Sequence, residues 1–162
     1  MDQLWAPWRM AYIANPVQKE GASCFICQGK SENKDRENGI VLRTANTIVF
    51  LNRYPYNNGH LLVAPTRHLA NPEEFQQEEW IEINEVLRGM LSHLGPILKP
   101  DGYNLGVNLG RVAGAGLPGH FHWHIVPRWN GDTNFMPVVS DTKVMVQSLD
   151  SLFELLTKSL QS

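Results

Sequence analysis

Residues 120–129 read HFHWHIVPRW, and half of the chain's six histidines fall there at every second position. In a helix these side chains would point in different directions. In a strand alternate side chains share a face, so His120, His122 and His124 line one side while Phe121, Trp123 and Ile125 take the other. A row of satisfied core histidines is the plain reading, and three on one face speak against it. A metal bound by all three rings would leave no free nucleophile. Alternatively, one imidazole Nε2 attacks an electrophilic phosphorus, provided that its Nδ1–H is held by an acceptor that fixes the tautomer.

The segment leading into this row, LGRVAGAGLPG, adds a second kind of chemistry. Gly106, Gly110, Gly114, Gly116 and Gly119 make residues 106–119 too small-chained for a buried strand throughout. Glycine permits positive φ and close approach of backbone to a ligand, so main-chain N–H groups here could hold a phosphate and meet charge growing on its oxygens. Arg53, Arg111 and Arg128 could neutralise more distant phosphates or simply be solvated. Cys24 and Cys27, the only cysteines, read as a redox pair, two buried small residues or half of a metal site. A tetrahedral zinc would need two more ligands, and His68 and His120 would leave His122 and His124 free. His93 sits in a helical pattern and reads as a packing or surface residue.

Positioning these groups requires strands first. GIVLRTANTIVFLNRYPYNNGHLLVAPTRH supplies strands at 40–43, 47–52 and 60–65, broken at Thr44-Ala45-Asn46 and over Tyr54 to Gly59. Further strands are predicted near 103–109 and from 119 to 128. Asn71-Pro72-Glu73 opens a helix, with Phe75, Trp80, Ile83, Leu87, Met90 and Leu94 at helical spacing, and Gly95-Pro96 stops it. A second helix runs from Thr142 to Leu160 on a stripe of Val144, Leu149, Leu152, Leu156 and Leu160. SENKDRENG, 31–39, reads as a mobile polar excursion. Residues 1–20 read as an extended arm whose Trp5, Trp8, Met10 and Tyr12 pack on the body or on a second subunit. The whole, 1–162, reads as a single α+β domain, an antiparallel sheet with one long helix and a C-terminal helix.

The bulk numbers exclude several classes. At 162 residues and 43% hydrophobic the chain can bury one sizeable core. A net charge of −2 is unsuited to a nucleic-acid backbone, though main-chain amides can still hold a small anion. The start has neither a secretory signal nor a membrane span, so the expected location is the cytoplasm. No P-loop, dinucleotide fingerprint or repeat occurs.

HFHWHIV resembles the His-x-His-x-His-x-x signature of the histidine-triad (HIT) superfamily of nucleotidyl hydrolases and transferases. FLNRYPYNNGHLLVAP resembles its earlier strand pair, with Asn52 and His60, and NLGRVAGAGLPGH its phosphate loop. From 106 to 136 the chain is most similar to the branch containing diadenosine tetraphosphate phosphorylases, and some resemblance covers roughly residues 4 to 145. The resemblance implies a HIT-like fold and His122 as nucleophile, forming a nucleotidyl-phosphoramidate, with His124 beside it on the phosphoryl or ester oxygens. It implies that Asn52 bonds the ribose hydroxyls and that Asn108 contacts phosphate. Apolar neighbours enclose the base; Ile48, Phe50 and Leu51 are candidates, although alternation cannot turn all three inward. His60 and loop residues Gly114, Ala115 and Gly116 join the substrate-binding set.

Better-known members commonly carry Gln and Ser or Thr where this chain has Ala115 and Gly116, and this loop is one residue longer before His120. Protonating the leaving group then falls to another residue, to water or to a bound metal. Family members often carry a structural zinc on two cysteines, a later histidine and the first triad histidine, which implies Cys24, Cys27, His68 and His120 here. The implied activity is a nucleotidyltransferase cleaving diadenosine tetraphosphate with inorganic phosphate, giving ATP and ADP. The alternative is a hydrolase of dinucleoside polyphosphates or adenosine phosphoramidates, with water as acceptor. Adenine nucleotides, phosphate, a divalent cation carried with the polyphosphate and a second copy of the chain, as a homodimer, are the expected partners.

Overall fold

β-Branched and aliphatic residues fill short runs bounded by turn formers, and each run becomes a strand. The computed structural model describes residues 24–140 and 144–161, so the predicted arm over 1–20 lies outside the described residues. Strands β1 (Ile40–Arg43), β2 (Thr47–Leu51), β3 (Leu61–Pro65), β4 (Gly102–Val107) and β5 (Trp123–Arg128) build one antiparallel sheet in the order β1-β2-β3-β5-β4. Residues 24–132 and 145–161 form one unit; the described residues between Thr133 and Val144 belong to a second, where Met136–Ser140 is a short helix. No helix among the described residues is long and apolar enough to cross a membrane.

Alternation divides the sheet into two faces. On one, Val49, Leu51, Leu61, Val63 and Ile125 pack with Ile83, Leu87, Met90 and Leu94 of the long helix and Leu152 and Leu156 of the last helix. On the other, Ile48, Phe50, Leu62 and Ala64 pack with Ile40 and with Ile26 of helix α1 (Phe25–Ser31). Phe50, Leu62 and His124 are register partners across β2, β3 and β5, so this second face carries the histidines.

Helix α1 ends at the first residue of the stretch expected to be a mobile excursion, 31–39, and the short helix α2 (Asp35–Asn38) lies within it. Both are held from outside: Arg43 donates to the Gly29, Lys30 and Glu32 carbonyls and pairs with Asp35. The long helix α3 spans Gln77–Leu98 and is preceded by a separate 3₁₀ turn, Pro72–Glu74. Gly95-Pro96 does not stop it, and the helix runs on for two residues past the proline. Lys99 stops it instead, in the left-handed region, while the Trp129 indole N–H reaches the Leu98 and Lys99 carbonyls at 3.3 and 3.2 Å. The last helix, α5 (Leu149–Leu160), follows α4 (Met136–Ser140) and begins where the Ser148 hydroxyl accepts from the Ser151 N–H; the predicted start at Thr142 lies outside the described residues. Val144 is exposed and outside its stripe.

Candidate active site

The ladder of β5 starts at Trp123, not near 119, so His120 and His122 stand on an irregular approach and only His124 is held in the sheet. Main-chain bonds from the Phe121 N–H to the Leu69 carbonyl and from the His120 N–H to the Leu117 carbonyl fix that approach. Leaving the ladder frees the His120 carbonyl, which lies 2.8 Å from His122 Nδ1. A carbonyl only accepts, so His122 carries its proton on Nδ1 and keeps a lone pair on Nε2.

His124 has the opposite tautomer. The Tyr56 N–H donates to His60 Nδ1 at 3.0 Å, which leaves the His60 proton on Nε2. His60 Nε2 stands 2.8 Å from His124 Nδ1, so it donates there and His124 carries its own proton on Nε2. That Nε2 is buried and has no hydrogen-bond partner among the described residues. The rings of His122 and His124 lie 5.0 Å apart, edge to face. A neutral acceptor nitrogen therefore sits beside a neutral N–H donor. Burial, and then neighbouring histidines, push His60 down to about 3 and His124 to about 4; burial also lowers His122, against the His120 carbonyl bond that raises it. Imidazoles so depressed are uncharged at neutral pH, which the tautomer assignments require.

His120 points the other way, into a cluster. Its Nε2 donates to the Pro65 carbonyl at 2.9 Å, so Nδ1 is bare and faces Cys24 Sγ at 3.2 Å and Cys27 Sγ at 3.6 Å. His68 Nδ1 lies 3.2 Å from Cys27 Sγ, and the four ligand atoms all lie within 4.8 Å of one another. Tetrahedral zinc bonds of about 2.0–2.3 Å place ligand atoms roughly 3.3–3.8 Å apart, so two thiols and two imidazole nitrogens suit zinc in chemistry, and the sulfur–nitrogen separations of 3.2–3.6 Å lie near that spacing. Burial raises the Cys27 thiol, followed by its bond to Cys24.

The remaining expected residues divide. Gly106 is the register partner of His124, and Asn108 follows the end of β4, with Nδ2 3.4 Å from the Gly114 carbonyl. Gly110 and Gly114 take positive φ, as the loop reading requires. The N–H groups of Gly114 and Ala115 close the loop on the Arg111 and Gly110 carbonyls, so they serve the loop first. No heavy atom lies within 4 Å of a Cβ built on Gly116, beyond its chain neighbours. Asn52 is next to the His60 ring, its Nδ2 3.2 Å from Nδ1, while its Oδ1 accepts from the Tyr54 N–H. Phe50 lies on the histidine face but is buried against Phe25 and Ile26.

Leu51 is a correction. It packs among the helices on the opposite face and cannot enclose a base with Phe50, because neighbours in a strand point to opposite sides. Arg128 is also engaged elsewhere, on Asp132 and Asn104, and Arg53 donates to the Glu37 carbonyl. Tyr56, half exposed at the mouth of the histidine pair, was not foreseen. The signal was an aromatic inside a polar turn, four residues before His60, where a bare turn needs none.

The HIT domain family model matches residues 33–131, which include His60 and the whole histidine row. The chain belongs to the HIT domain family. The AP-4-A phosphorylase of Mycobacterium tuberculosis is 36% identical over 154 residues, 92% of this chain and 79% of that protein. The adenosine 5'-monophosphoramidase of Schizosaccharomyces pombe is 32% identical over 108 residues, 67% of this chain and 76% of that one. Among solved structures, a hypothetical histidine triad nucleotide-binding protein from Sulfolobus tokodaii superposes with a TM-score of 0.67 at 26% identity, covering 85% of this chain and 92% of that one. The fold of that structure matches the antiparallel sheet and flanking helices described above.

Proposed function

We propose that the chain is a HIT-family nucleotidyltransferase that cleaves diadenosine tetraphosphate by phosphorolysis. The observation that carries the reading is the pair of opposed tautomers at His122 and His124. His122 Nε2 attacks the α-phosphorus, a P–N bond forms as the P–O bond to the leaving ATP breaks, and the adenylyl group rests on His122. The His124 N–H, uncommitted within the described chain, stabilises a phosphoryl or bridging oxygen as negative charge grows there. An oxygen of inorganic phosphate then attacks the same phosphorus, the P–N bond breaks, and ADP leaves with His122 restored to its starting tautomer.

Phosphate rather than water as acceptor is supported by the likeness to the mycobacterial phosphorylase and by the open space at Gly116. Asn108 and the Gly114–Gly116 loop hold the phosphates, and Asn52 holds the ribose. Hydrolysis is the second reading, favoured by the similarity to a phosphoramidase. Zinc on Cys24, Cys27, His68 and His120 would be structural, tying α1 and the end of β3 to the approach to His122. The exposed edge of β4, with Leu105 and Leu109 half exposed, supports a homodimer in which the sheets continue across the interface, measurable by sedimentation at low micromolar concentration.

The deciding experiment supplies diadenosine tetraphosphate with and without millimolar inorganic phosphate. Phosphorolysis yields ATP and ADP only when phosphate is present, and labelled phosphate becomes the β-phosphate of the new ADP. ATP and AMP accumulating regardless of phosphate would replace this reading with the hydrolase.

A further inference from the structure

Tyr56 touches the histidine pair in two independent ways. Its main-chain N–H supplies the bond at His60 Nδ1, 3.0 Å away. Its ring lies over the pair, with centroids 4.6 Å from His60 and 5.6 Å from His124, the latter nearly parallel at 24°. His60 is almost wholly buried, whereas Tyr56 is 55% exposed. The ring is thus the outer wall of a pair whose inner side is protein.

We propose that Tyr56 is a positioning residue: its N–H and its ring together hold His60 and His124 in the one protonation pattern that presents an N–H at His124 Nε2. The inference rests on the reading of His122 and His124 given above and goes beyond it, because Tyr56 touches neither reacting atom. The N–H matters because imidazole tautomers lie close in energy and a single donor decides between them. Asn52 Nδ2, 3.2 Å from the same nitrogen, favours the same choice. The ring matters because a swing of His124 about its side-chain bonds would carry its Nδ1 away from His60, and the proton would then be free to move to Nδ1. Donation from Nε2 would be lost for part of the time, and the rate with it. Substrate affinity would change little, since the ring packs on the histidines and not on the phosphates.

Tyr56→Ala keeps the N–H and removes the ring. It is expected to lower kcat about tenfold, the size of one aromatic contact, with KM within about threefold. Tyr56→Phe restores most of the rate. If Tyr56 acts through His60, then in a His60→Ala background the Tyr56→Ala change lowers kcat no further. Side-chain ¹⁵N spectra of the full-length protein give a readout apart from turnover. They should report one Nε2–H tautomer for His60 and His124 in the parent, and a mixture at His124 in Tyr56→Ala. Additive losses in the double variant, a change in KM alone, or an unaltered His124 tautomer would overturn the proposal. If the parent turned over neither dinucleotide nor phosphoramidate, the functional reading would fail while the spectra still decided the role of Tyr56.

Discussion

At the scale of single residues, the site depends on where protons sit on rings of one kind. His120, His122 and His124 have the same side chain, yet one offers Nδ1 to a thiol cluster, one offers Nε2 as a lone pair and one offers Nε2 as an N–H. Each difference follows from what holds the other nitrogen: the Pro65 carbonyl, the His120 carbonyl and His60. His122→Ala is therefore expected to abolish the acid-labile adenylyl adduct and to lower turnover by at least ~10³-fold, while nucleotide binding persists. Activity near that of the parent would remove the nucleophile from the mechanism. His124→Ala should slow adduct formation less severely, because it removes a donor and leaves the attacking atom in place.

Elements, in turn, deliver those residues. The turn between β2 and β3 must reverse tightly so that His60 faces His124, and Gly59 makes this possible at φ +77°. A Cβ there would come within 2.4 Å of a Leu98 methyl and 2.9 Å of Pro127 Cγ. Gly59→Ala is expected to cost about 1–3 kcal/mol, read from urea unfolding, and to lower kcat as His60 shifts. A fully stable and active variant would show that the turn relaxes freely. Strand positions were legible in the sequence because alternation and turn residues mark them locally. Helix α1 was not, since seven residues with a glycine carry little periodicity and its support comes from Arg43, a residue well downstream. Likewise the irregular approach to His122 depends on Phe121 bonding Leu69, a distant pairing that local spacing does not encode. The four members of the cysteine–histidine cluster were legible as residue types in order, whereas the tautomers needed coordinates.

Across the whole molecule, the cysteine–histidine cluster and an ion pair beside it fasten the same seam. The cluster joins α1, the end of β3 and the approach to His122, so about one zinc per chain is expected to survive dialysis. The Cys24→Ser, Cys27→Ser double variant should lose both metal and thermal stability. Metal-free protein that folds well under reducing conditions with zinc supplied would refute the site. Next to His68, Arg67 reaches across to α3, donating to the Glu79 carboxylate at 2.9 and 2.8 Å and to the Glu74 carbonyl. Glu79 also accepts from the Gln76 N–H at the start of α3, which places it at the favourable end of the helix dipole. The Arg67 bond foremost, and then the Gln76 bond, holds the Glu79 carboxyl below its ordinary range against the opposing effect of burial. A carboxyl whose folded pKa is depressed contributes stability above its unfolded value, about 4.3, and that contribution is lost as pH falls through the folded value. Arg67 is 44% exposed and its charge is screened, so about 1 kcal/mol is the expected size, roughly 2–4 °C in a chain of this length. Glu79→Gln should therefore lower Tm by that amount at pH 7. The gap from the parent should narrow as pH falls below the unfolded value and close once it has passed through the lower folded value, where the parent's carboxyl is protonated as well. A gap that stayed constant from pH 7 to pH 3 would mean that packing, not charge, makes Glu79 valuable to the seam.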